Sequence, residues 1–109
     1  MAKKKDKTLE NKPRLAICQY LTKQGHLFWR FEPTKYMPSI GRYIRTEFTP
    51  SGLPDIMVLR EGKLCGLETK RPTGGRKSSD QLLKQKQFEL LGHEYHFVTS
   101  VDEVIELGL

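Results

Sequence analysis

With 109 residues, the chain has room for one hydrophobic core and not for two. No apolar run approaches the length of a membrane span, and the lysine-rich start lacks the apolar stretch of a secretory signal, so a cytoplasmic protein without a membrane partner is expected. The net charge of +6 is regional and suits a polyanionic partner: residues 1–86 hold all 19 Lys and Arg, and residues 87–109 hold none.

Residues 1–9, with the run Lys3-Lys4-Lys5-Asp6-Lys7, read as a basic flexible tail, and residues 10–109 as a single domain. A first helix is expected from about Asn11 to Gln24, because Pro13 suits only the first turn and Gly25 stops the last one. Ile17 and Leu21 mark its buried side. Leu27 to Phe31 reads as a strand with Leu27, Trp29 and Phe31 on one face. That face is expected to be core, with base stacking beside Arg30 as the other reading.

Residues 32–53, punctuated by Pro33, Pro38, Gly41, Pro50 and Gly52, read as a long loop with room for a short strand around Tyr43 to Glu47. Arg42 and Arg45 are candidates there for phosphate contacts. Two apolar runs, Ile56 to Leu59 and Leu64 to Lys70, follow around a Glu61-Gly62 turn signal. The loop Lys70 to Lys77 carries Arg71, Arg76 and Lys77, and Gly74-Gly75 would let it fold over a nucleic-acid backbone. Ser78 followed by Gln81 is a capping box that opens a second helix ending before Gly92. Tyr95 to Thr99 is the last strand, and Ser100 with Glu103 caps a short final helix. Cys18 and Cys65 show no metal-ligand spacing and are expected to be small buried groups in a reducing compartment, and His26, His93 and His96 receive no role.

The densest chemistry lies in the central hairpin. A two-residue loop at Glu61-Gly62 would set Arg60 opposite Lys63 and, continuing outward, Asp55 opposite Glu68. Glu68 and Lys70 are two apart, so they share a strand face while Thr69 points the other way. A bulge at Gly62 would slip this register by one and separate the acids. Phosphodiester hydrolysis needs an activated water and neutralisation of phosphate charge, and a divalent metal supplies both. Mg²⁺ takes oxygen ligands, for which Asp55, Glu68 and the Thr69 backbone carbonyl are candidates. Lys70 would orient the water or offset negative charge. The bland reading is an edge strand whose Glu68 and Lys70 form a solvated pair.

The ordered series Gly52-Leu53-Pro54-Asp55-Ile56, Gly62-Lys63-Leu64, Leu67-Glu68-Thr69-Lys70-Arg71-Pro72, Gln85-Lys86-Gln87-Phe88, Gly92 and Val98 to Glu103 resembles a VRR-NUC domain of the PD-(D/E)xK nuclease superfamily over roughly residues 10–107. The resemblance implies an α/β fold: a restriction-endonuclease-like α-β-β-β-α-β core with a mixed central sheet flanked by helices. It further implies a Mg²⁺- or Mn²⁺-dependent endonuclease acting on branched or otherwise structured DNA. By position it assigns metal binding to Asp55 and Glu68, catalysis to Lys70 and a supporting role to Gln85, with Glu10 as the acid expected in the first helix. This chain has Thr69 where the family's motif usually has Val or Leu.

A resolvase of four-way (Holliday) junctions must cut two strands with one active site per chain, so a homodimer is expected. The nucleic-acid contacts would come from Arg30, Arg42, Arg45, Arg71, Arg76 and Lys77. The competing function is a non-catalytic DNA- or RNA-binding module, which accounts for the charge but not for Pro54-Asp55; a structural protein with an incidentally basic tail accounts for neither acid.

Overall fold

A computed structural model describes residues 5–32 and 34–109, with side chains from residue 12 onward. Along the chain run α1 (Lys5–Lys23), β1 (Phe28–Arg30), β2 (Thr34–Met37), β3 (Arg42–Arg45), β4 (Ile56–Arg60), β5 (Lys63–Thr69), α2 (Ser79–Leu90), β6 (Glu94–Val98) and α3 (Val101–Glu106). A four-stranded sheet has the order β1-β4-β5-β6, and β2 pairs with β3 in a separate two-stranded sheet. β1, β4 and β5 are antiparallel neighbours, whereas β6 joins β5 in parallel after the α2 crossover. Without the β2–β3 insertion the order is α-β-β-β-α-β, the expected mixed α/β core. No described helix is long and apolar enough to cross a membrane.

One sheet face is sealed by α1 and α3. Ile17 and Leu21 from α1 and Val104 from α3 pack on Ile56, Val58, Cys65, Leu67 and Val98. Burial of each such aliphatic side chain contributes roughly 2 kcal/mol. On the opposite face Phe88 of α2 meets Tyr95 edge-on at 5.3 Å, and the Tyr95 hydroxyl donates to the Gly52 carbonyl at 2.8 Å. α1 ends in a Schellman motif, with Gly25 at φ 78, Gly25 N–H on Thr22 O and His26 N–H on Leu21 O.

Several local expectations change. α1 runs through Pro13 instead of starting beside it. Lys5 to Lys12 contain no glycine or proline, so nothing local stops the helix there, and the proline forgoes one backbone bond. Of the expected basic tail, residues 1–4 lie outside the described residues, and Lys5 onward falls in α1. In β1 the core contact is made by Phe28, not by the Leu27, Trp29 and Phe31 face; Trp29 is 43% exposed because β1 is an edge strand with one neighbour. Within the stretch expected to be a loop, β2 and β3 form a hairpin closed by Ile40 and Gly41 N–H groups on the Met37 carbonyl. Ser78 and Gln81 cap α2 reciprocally as expected, whereas Glu103 reaches Thr99 and not the backbone of its own cap residue, Ser100.

Candidate active site

The β4–β5 ladder pairs Arg60 with Lys63 and continues without a bulge to Ile56 and Leu67, so the next step outward brings Asp55 beside Glu68. Both acids line a cleft of about 560 Å³ with Arg14, Arg30, Arg45 and Gln81. A comparable hollow along α1, around Cys18 to Lys23, has no carboxylate among the described residues of its wall.

Asp55 lies just before β4 and is anchored from three directions. Its backbone carbonyl accepts from Phe31 N–H at 2.8 Å. Its Oδ1 accepts from the Thr69 N–H at 3.3 Å and from the Thr69 hydroxyl at 3.4 Å, while Arg14 lies 3.4 Å from Oδ2. Burial raises the Asp55 pKa above the usual carboxylate value, and the Arg14 charge and Thr69 bonds oppose that rise. Glu68 lines the cleft together with Gln81 of α2 and stands 3.7 Å from the Lys70 Nζ. Burial first, and then the Asp55 charge, push Glu68 up to about 7, with Lys70 pulling the other way.

Lys70 continues that face at the end of β5. Its backbone N–H bonds the Val98 carbonyl at 2.8 Å, and its Nζ donates to the Gln81 side-chain oxygen at 2.8 Å. Gln81 Oε1 also accepts from Ser78 N–H at 3.1 Å, so the cap of α2 holds the lysine.

Of the residues singled out in sequence, Asp55, Glu68, Thr69 and Lys70 therefore come together, and Arg30 and Arg45 border the same cleft. Gln85 does not join them. It donates to the Tyr95 carbonyl at 2.9 Å, one helical turn beyond Gln81, and serves the α2–β6 packing. Glu10 falls in α1 one turn before Arg14, and its side chain lies outside the described residues. Arg42 pairs across the β2–β3 hairpin with Met37, Arg71 donates to the Gly74 carbonyl at 3.2 Å, and Lys77 lies 4.7 Å over the Phe97 ring. Arg76 is exposed in the loop before α2.

Gln81 and Arg14 were not singled out as site residues. Gln81 announced itself only as a cap, and no local signal marks Arg14, which reaches Asp55 through the packing of α1 on the sheet. Sequence spacing also hid a second convergence: Cys65, Glu94 and His96 hold their donor atoms within 4.8 Å of one another, because β5 and β6 pair Cys65 with Glu94. Glu94 is already bound to Arg60, Lys63 and His96, and despite partial burial these partners hold it down at about 2. The two cations beside it oppose a metal there.

No family model and no curated protein matches this chain. Among solved structures, one described as "VRR_NUC domain" superimposes with a TM-score of 0.67 at 21% identity, covering 91% of this chain and 92% of that one. Over nearly its whole length, the chain has the fold of a VRR-NUC domain.

Proposed function

We propose that this chain is a metal-dependent DNA endonuclease of the VRR-NUC type, with Asp55, Glu68 and Lys70 as its chemical centre. The observation that carries the proposal is the meeting of Asp55 and Glu68 in a cleft bordered by arginines, with the Lys70 ammonium 3.7 Å from Glu68 and bonded to the cleft residue Gln81. The donor set fits a hard divalent cation. Burial raises the pKa of Glu68 and the neighbouring Asp55 charge adds to the rise, a repulsion that a cation would relieve.

Asp55 and Glu68, with the Thr69 carbonyl, would hold Mg²⁺ or Mn²⁺. Such an ion supplies an activated water and neutralises charge on the phosphate oxygens. Thr69 orients the Asp55 carboxylate through two hydrogen bonds. Lys70, fixed by Gln81, presents its ammonium where a phosphate oxygen or the attacking water gains charge. Arg14, Arg30 and Arg45 draw the DNA backbone toward the acids.

The finer reading is cleavage of branched DNA by a homodimer, in the manner of a junction resolvase. Leu90 and Leu91, both exposed at the end of α2, offer an apolar surface for a second copy. Light scattering tests the dimer, and a monomer at working concentration would redirect the proposal to nicked or flapped DNA. A second reading, binding without cleavage, draws on the pairing of Asp55 with Arg14 and Thr69 before any metal arrives.

Labelled four-way junction, flap, single-stranded and duplex DNA incubated with Mg²⁺, Mn²⁺ or EDTA separates these readings. Metal-dependent cuts that vanish in Glu68→Gln support the nuclease. Binding without cuts under every condition supports the module.

A further inference from the structure

The β2–β3 hairpin pairs with no strand of the main sheet, yet one of its faces opens into the candidate cleft. Tyr36 and Tyr43 lie directly opposite each other, ring centroids 5.2 Å apart and edge-on. Tyr43 and Arg45 are two apart on β3 and share that face, and Thr34, Tyr43 and Arg45 line the cleft that holds Asp55 and Glu68. Tyr36 is 50% and Tyr43 68% exposed. Just beyond β3, Phe48 is 94% exposed at φ 62, a left-handed conformation that bulky residues avoid. A turn closed by Thr49 N–H on the Thr46 carbonyl, with the two threonine hydroxyls 2.6 Å apart, holds it outward.

Three aromatic rings thus face water, which folding alone does not favour. Cations flank the two tyrosines: residues 33–46 carry Lys35, Arg42 and Arg45 and no acid, while Glu47 adjoins Phe48 and Glu32 lines the cleft with Tyr43. Rings interleaved with cations are the chemistry that binds unpaired nucleotides, the bases stacking on the rings and the phosphates meeting the cations. Fully paired duplex cannot use such rings, because its bases are already stacked on each other.

We infer that the β2–β3 hairpin and Phe48 form a base-stacking platform that selects DNA with unpaired nucleotides beside the bond presented to the Asp55–Glu68 cleft. This rests on the proposed nuclease site only for the placement of that bond. The binding preference stands apart from cleavage and is measured without it.

The test uses the full chain in EDTA with two short DNAs, a flapped duplex carrying 2-aminopurine in its unpaired arm and a blunt duplex of the same length. Wild type is expected to quench the 2-aminopurine and to bind flapped DNA at least about tenfold more tightly, the scale of one stacked base. Tyr43→Ala and Phe48→Ala should each lose most of that preference with blunt-duplex affinity unchanged, the thermal midpoint holding in Phe48→Ala and falling slightly in Tyr43→Ala through the lost contact with Tyr36. Phe48→Trp should retain the preference and Phe48→Leu should not, since leucine keeps bulk without a π-face. An unchanged preference and unchanged quenching in the Tyr43→Ala, Phe48→Ala double variant would overturn the inference. So would a switch from dimer to monomer in that variant with quenching intact, which would mark the rings as an interface between copies. Failure of the nuclease proposal looks different: no cleavage with any metal, with the preference for unpaired DNA still present and still lost in the two alanine variants.

Discussion

Gln81 holds Lys70 by a 2.8 Å hydrogen bond through the same side-chain oxygen that accepts Ser78 N–H at the start of α2. One residue therefore ties the helix to the lysine at the end of β5, and movement of the cap would move the ammonium.

Gln81→Ala should lower cleavage by about ten- to a hundredfold, the scale of a misplaced charged group, and cost about 1 kcal/mol of stability through the weakened cap. Gln85→Ala should match that loss of stability without the loss of rate. It leaves the Tyr95 carbonyl without its donor, costing about 1 kcal/mol, and keeps near-wild-type cleavage per folded molecule. Urea denaturation and single-turnover rates on the two variants separate these roles, and a larger loss of rate in Gln85→Ala would return that residue to the site.

Gly66 controls Asp55 through packing. A Cβ at Gly66 would lie 2.5 Å from the Pro54 Cγ and 3.4 Å from the Phe88 ring. Gly66→Ala is expected to push the Pro54-Asp55 segment off the sheet, costing roughly 1–3 kcal/mol and weakening metal binding. Calorimetric titration with Mn²⁺ beside a melting curve checks both, and unchanged metal affinity would show that Asp55 does not depend on this packing.

The acid, acid, lysine set was legible because strand alternation and a two-residue turn are local rules, and the ladder from Arg60–Lys63 to Ile56–Leu67 obeys them. The choice between Gln81 and Gln85 was not. It depends on how α2 is rotated against the sheet, and α2 buries none of its residues fully, so no strong apolar stripe fixes that rotation in the sequence. The β2–β3 hairpin was hidden by Pro33, Pro38 and Gly41, which read as loop punctuation although Met37 to Gly41 forms its turn. The Cys65, Glu94 and His96 cluster required knowledge of parallel pairing across the whole crossover. Tertiary relations of that kind leave no periodic trace.

The lysines at the start of the chain should contribute to DNA affinity through counterion release. Deleting residues 1–7 removes Lys3, Lys4, Lys5 and Lys7. The slope of log affinity against log salt should then become shallower by up to about 0.9 for each phosphate that these lysines neutralise. Affinities measured across a salt series check this, and an unchanged slope would show that these lysines do not touch DNA.

Stability of the metal-free protein should fall as pH rises through neutrality. Burial, then the charge of Asp55, push Glu68 from an ordinary 4.5 up to about 7, with Lys70 opposing. The folded chain therefore holds the Glu68 proton over a range in which the unfolded chain has released it. Its stabilising contribution is complete below about pH 4.5 and is lost as pH climbs through about 7, a change of roughly 3 kcal/mol at most. Asp55, also raised, adds in the same direction. Glu68→Gln should flatten the profile and be more stable than wild type at pH 8. Divalent metal requires the ionised carboxylates, so its stabilising effect should grow over the same interval and offset the loss. Urea midpoints from pH 5 to 8 in EDTA and in Mn²⁺ measure both. Metal-free stability that rises across this window in wild type, but not in Glu68→Gln, would mean that Glu68 is ionised in the folded protein well below neutrality and that Lys70 outweighs its burial.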